Sequence, residues 1–155
     1  MKAITIWQPW AQLLVAGIKQ NETRSWQTHY RGELLIHAAK QPPLRGIQTV
    51  PDAAWKKALL SLGLNEEDDP VESFPIGVIV GKVKIVDCRQ IDDALIKRLS
   101  AEELAYGDFT PGRYAWVMEE PEILKQPIPA KGKQGLWNWI SSESENYHNG
   151  VKGKR

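Results

Sequence analysis

The chain holds a single cysteine, Cys88, so no disulfide can form within it. That scarcity fits a reducing, cytoplasmic setting. Long apolar runs are also missing. The longest, Leu13 to Ile18, falls far short of the ~20 residues that span a bilayer, and no membrane partner is expected. Histidine is scarce too: His29, His37 and His148 show no ligand spacing with one another or with Cys88, which leaves no expected metal site. A phosphate-binding P-loop, a dinucleotide glycine fingerprint, a Gly-x-Ser-x-Gly elbow and a paired-cysteine motif are all absent. Those absences set aside the common P-loop, dehydrogenase, esterase and dithiol classes, and no cofactor is expected.

What is present is a folded composition. Hydrophobic residues make up 42% and charged residues 25% of 155 residues, which supports one core but not two comfortable domains. The net charge of +1 conceals an uneven distribution. Residues 1–50 carry six Lys/Arg against Glu22 and Glu33, and residues 125–155 carry six against two acidic side chains. Residues 51–124 carry eight basic and fifteen acidic side chains. Two basic ends therefore flank an acidic middle. A fold that joined the ends would offer phosphates a positive face; otherwise the pattern is ordinary solvated charge.

Periodicity gives an element order. Ala3 to Trp7 alternates as a strand, and Pro9 suits the first position of a helix whose apolar stripe is Trp10, Leu13 and Leu14. Gly17 can end that helix in a left-handed conformation. Strands follow at Glu22 to Trp26 and Glu33 to Ala38, and Pro42-Pro43 breaks the chain. A helix from Asp52 to about Leu62 precedes an acidic loop, Asn65 to Glu72. Ile76 to Val86 is rich in β-branched residues, with Gly77 and Gly81 placed for a bend. One or two short helices are expected within Ile91 to Leu104, then three strands at Tyr114–Met118, Ile123–Ile128 and Leu136–Ile140. No internal repeat is visible. The expected architecture is α+β: one domain over residues 1–140, a small mixed β-barrel of about six strands with covering helices. Residues 141–155 read as a loose polar tail.

The chemistry-bearing residues concentrate in the first forty positions. Trp7-Gln8-Pro9-Trp10 lies at a strand-to-helix junction, where a tryptophan is first of all packing, although the helix N-terminus beside Trp7 offers free N–H groups. Alternation along Glu22 to Trp26 puts Glu22, Arg24 and Trp26 on one face and Thr23 on the other. That face holds a carboxylate acceptor, a planar phosphate fork and a stacking ring, or else a surface ion pair beside a core indole. On the next strand Leu34, Ile36 and Ala38 share one face, while Leu35 and His37 share the other. A lone strand histidine is most simply structural.

The string Ile6-Trp7-Gln8-Pro9-Trp10-Ala11, followed by Gly17-Ile18-Lys19, Glu22-Thr23-Arg24, Tyr30-Arg31-Gly32 and Leu35-Ile36-His37-Ala38, resembles the signature of the ASCH family. Phe74 to Gly81 is similar to that family's second block, and Lys131 to Trp137 to its closing strand. The resemblance covers most of the chain to about Ile140. It implies a PUA-like β-barrel with a cleft between the first helix and the barrel. The implied ligand-binding set is Trp7, Gln8, Pro9, Trp10, Lys19, Glu22, Arg24, Trp26, Arg31 and His37, and the implied partner is RNA, a nucleotide or a nucleoside. The alternative it carries is a hydrolase of RNA or of N4-acetylcytidine, with Lys19 and Glu22 as the catalytic pair. Small amidohydrolases of this kind use a threonine three residues after the Gly-x-Lys lysine. Here that position is Glu22, which departs from the pattern.

Overall fold

The computed structural model describes residues 1–140, so the expected tail, 141–155, lies outside the described residues. The N-terminal alternation forms β1 (Lys2–Ile6), which runs parallel to β3 (Gly32–Ala38) with Ile4 opposite Ile36. Between them lie α1 (Trp10–Val15) and β2 (Asn21–Arg24). The helical segment after β3 contains α2 (Pro43–Ile47), α3 (Asp52–Ser61) and α4 (Pro70–Ser73). Then come β4 (Val78–Gln90), α5 (Asp93–Arg98), α6 (Ala101–Ala105), β5 (Tyr114–Pro129) and β6 (Leu136–Asn138). The six strands form one mixed, curled sheet, a half-barrel, in the order β2-β5-β4-β3-β1-β6. Among the described residues only the β1–β3 pair is parallel.

Period-two alternation decides what each face buries. Ile4, Ile6, Leu34, Ile36, Ala38, Val83 and Ile85 join Leu14 and Val15 of α1 and Trp116 in the main core. Each such Ile or Leu contributes roughly 1.5–3 kcal/mol on burial. Leu35 faces the other way, onto Ala3, Ile79 and Trp137. The expected split of β3 into a Leu34/Ile36/Ala38 face and a Leu35/His37 face therefore holds. A second helical layer packs Leu13 against Val50, Ala54, Ala58 and Tyr106.

Pro9 stands as the N-cap just before α1 rather than as its first residue, and the bounds of β1, β4 and β6 differ from expectation by one to four residues. Four departures are larger. Tyr114 to Pro129 is one strand rather than two: Glu120 takes a left-handed φ of 51° before Pro121, and pairing with β4 continues through register shifts. A bulge bends the strand there without ending it. Pro42-Pro43 does not break regular structure but starts α2, since proline's fixed φ suits the first helical turn. The acidic loop contains α4, whose N-cap Asp69 accepts from the Val71 N–H. Finally, β2 stops at Arg24, and Trp26 leaves the ladder to stand edge-on against Trp116, 4.7 Å between centroids.

Candidate nucleic-acid interface

The site begins at the end of α1. Gly17, at φ 76°, reverses the chain, and the N–H groups of Ile18 and Lys19 both bond back to the Leu13 carbonyl at 3.0 Å. The next side chain, Lys19, is thereby carried into the interior, where it is 2% exposed. Its Nζ donates to the Tyr106 carbonyl at 2.7 Å, its one hydrogen bond among the described residues. Burial pushes the Lys19 ammonium below its ordinary pKa, while Glu22 and Glu103 pull the other way.

Glu103 fixes the neighbouring strand. Buried at 5% exposure, its carboxylate accepts from the Gln20 N–H (2.8 Å), the Asn21 N–H (3.1 Å) and the Asn21 amide (3.3 Å). Those bonds anchor the start of β2, which then places Glu22 and Arg24. Arg24 Nε and Nη2 both reach Glu22 Oε2, at 3.1 and 2.9 Å, and Nη2 also donates to the Thr5 carbonyl at 3.1 Å. Arg24 Nη1 and Glu22 Oε1 keep their capacity for a ligand. Glu22 is 8% exposed, so two acids and one lysine are buried within one small region. Buried charge is costly even when paired, and an amine that uses one of its three donors is poorly explained by stability alone.

These groups border a cleft of about 600 Å³ lined by Thr5, Trp7, Trp10, Lys19, Glu22, Thr23, Arg24, Tyr106, Gly107, Asp108 and Arg113. Trp7 stands at its mouth, 45% exposed. The Trp10 indole N–H is buried without a partner. Alternation sets Thr23 on the opposite strand face from Glu22, yet it borders the same cleft, where its hydroxyl accepts from the Asp108 N–H at 3.2 Å.

The other expected site residues divide by geometry. Trp26, 39% exposed, lines an adjoining groove rather than the cleft. Gln8 is buried and serves the fold: its amide donates to the Pro75 carbonyl at 2.9 Å and its Oε1 accepts from the Gln12 N–H. Pro9 is buried behind it, after a cis peptide bond. His37 is buried with both nitrogens engaged, Nδ1 with Thr5 Oγ1 (3.2 Å) and Nε2 with the Ala130 carbonyl (2.8 Å). Its pKa is lowered by burial, partly offset by the Ala130 bond. Arg31 is not brought to the cleft. It bonds the Thr28 and Tyr30 carbonyls and faces Asp87 at 4.0 Å. At about 3.3 Å per strand residue, it sits roughly 20 Å from His37 at the far end of β3.

Groups that sequence reasoning passed over are Thr5, Glu103, Tyr106, Gly107 and the lysines Lys40, Lys131 and Lys133. The charge division hinted at the lysines, since Lys40 lies in one basic end and Lys131 and Lys133 in the other. The fold does bring Lys40 together with Lys131 and Lys133, in the adjoining groove. Among the described residues there is no group of three His, Cys, Asp or Glu able to hold a metal ion. No helix there is long and apolar enough to cross a membrane.

A curled mixed sheet of this kind is the PUA-like fold of the ASCH structural neighbours. The ASCH domain model matches residues 4–141, and the chain belongs to that family. The chain is 27% identical over 149 residues to activating signal cointegrator 1 of Homo sapiens and 26% to that of Mus musculus. Each match covers 96% of this chain and 23% of the relative, so the chain spans less than a quarter of the length of those proteins. The crystal structure of ASCH from Zymomonas mobilis superposes with a TM-score of 0.54 at 16% identity, covering 97% of this chain and 94% of that one. At that identity the likeness concerns the fold alone.

Proposed function

We propose that the chain binds RNA or a nucleotide in the cleft over Lys19. The observation that carries this reading is the exposed Trp7 indole at the mouth of a cleft floored by Lys19, Glu22 and Arg24. An indole offers a stacking face to a base, whatever its identity. Lys19 supplies donors and Glu22 Oε1 an acceptor for a base edge, and the free Arg24 Nη1 adds charge for a phosphate. Family membership supports the same reading.

Titrating the intrinsic tryptophan fluorescence with single-stranded RNA, and separately with cytidine-type nucleosides, tests it. Saturable quenching by RNA that weakens with salt is expected; no response to either would overturn the reading. A second reading, hydrolysis of RNA or of a modified nucleoside, is favoured by the lowered pKa of Lys19 beside Glu22. It requires turnover of RNA or N4-acetylcytidine, seen by mass spectrometry and abolished in Lys19→Ala and Glu22→Ala.

A further inference from the structure

We infer that the ligand is a single-stranded polynucleotide of at least two nucleotides, gripped through phosphate by the loop at residues 130–135 in a groove that adjoins the Lys19 cleft. This rests on the proposed binding function and extends it from a nucleotide to a strand. The two compartments share Thr5, Trp7 and Arg24, so a ligand can run from one into the other. Their charge differs. The cleft mixes both signs, with Glu22 and Asp108 among its cations. The groove, about 1500 Å³, is lined by Arg24, Lys40, Lys131 and Lys133 and, among the described residues, by no carboxylate, in a chain holding 19 Asp and Glu. The three lysines have no ion-pair partner among the described residues. Converging lysines without counter-charges repel one another, and a ligand with repeated negative charge relieves that repulsion.

Two further features fix the kind of strand. Trp7 and Trp26 both line the groove with exposed indoles. Such faces stack on unpaired bases, which a duplex keeps inside its own stack. The loop is also held in place. His37 Nε2 is 2.8 Å from the Ala130 carbonyl, and the Gly132 backbone lies against the Thr5–His37 pair. A Cβ at Gly132 would come within 2.6 Å of Thr5 Oγ1 and 2.7 Å of His37 Nδ1. Lys131 and Lys133 therefore flank a glycine that is clamped to the sheet, which presents their charges from a fixed backbone.

The test is fluorescence anisotropy with labelled single strands about eight nucleotides long, one of RNA and one of DNA, with unlabelled nucleoside monophosphates as competitors. The octamer should bind at least about tenfold more tightly than any monophosphate. Each neutralised phosphate of a single strand contributes about −0.7 to the slope of log K against log salt, so four cations give about −2.8. Substituting Lys131→Ala and Lys133→Ala together should bring the slope to about −1.4. Arg31→Ala, outside both compartments, should leave it unchanged. The RNA and DNA arms show which sugar the groove accepts. An unaltered slope in the double variant, or equally tight binding of a duplex of the same length, overturns the inference. If monophosphates bind and the octamer gains nothing, the strand is refuted while nucleotide binding stands. If nothing binds, both fall.

Discussion

Glu103 is the residue on which the cleft's architecture depends most, and replacing it gives a calculable loss. Its buried carboxylate accepts three hydrogen bonds that start β2, and its charge also faces the Lys19 ammonium. Hydrogen bonds to a charged group contribute about 1.5–3 kcal/mol each, though not additively, and breaking a buried charge cluster costs about 3–5 kcal/mol. Glu103→Ala should therefore cost about 3–5 kcal/mol. For a chain of this size that lowers Tm by on the order of 10 °C. Differential scanning calorimetry measures it directly. Glu102→Ala is the matched control: that neighbour is paired with Lys57 at the surface, and its loss should leave Tm nearly unchanged. Well below its own Tm, the Glu103 variant should also bind RNA less tightly, because Glu22 and Arg24 follow the anchored start of β2. A Tm for Glu103→Ala within about 2 °C of the parent would refute the reasoning.

Two other outcomes follow from the same geometry. The buried His37 has a folded pKa below 6.5, so the unfolded chain binds more protons under mildly acidic conditions. Its contribution to stability is complete above 6.5 and declines as pH falls from there toward the folded value. Urea midpoints at about pH 7.5 and about pH 5.5 should fall further for the parent than for His37→Gln, and equal falls would contradict the assignment. Gly107 keeps the cleft open: a Cβ there would lie 3.1 Å from Lys19 Nζ and 2.9 Å from Phe109 Cε2. Gly107→Ala should cost about 1–3 kcal/mol of stability and weaken RNA binding about tenfold; unchanged affinity would place the ligand elsewhere.

The parts of the site written locally were legible in the sequence. Strand alternation puts Glu22 and Arg24 on one face of β2, because that is set by neighbours within a few residues, whereas Lys19 and Trp7 were indicated by the resemblance to the family signature. Glu103, Tyr106 and Gly107 come from more than eighty residues away and were not legible. Ser100 and Glu103 have the spacing of a helix-capping pair. The Ser100 hydroxyl does accept from the Glu103 N–H at 3.1 Å, but the Glu103 side chain turns to β2 instead of closing the box. Arg31 shows the converse. Its place beside Gly32 matched the family signature, yet the length of β3 carries it away from the cleft. The long β5 was misread because Glu120-Pro121 looks like a stop, and only pairing with β4 shows that it is a bulge.

The most direct test of the account is to follow the seven tryptophan indole N–H resonances while adding single-stranded RNA. Trp7 and Trp26 line the proposed binding surface, whereas Trp55 packs on Phe74 in the helical layer, 5.6 Å between ring centroids. The Trp7 and Trp26 signals should move in a saturable, salt-sensitive way while Trp55 stays fixed. Movement of Trp55 with Trp7 and Trp26 silent, or no movement of any indole at saturating RNA, would contradict it.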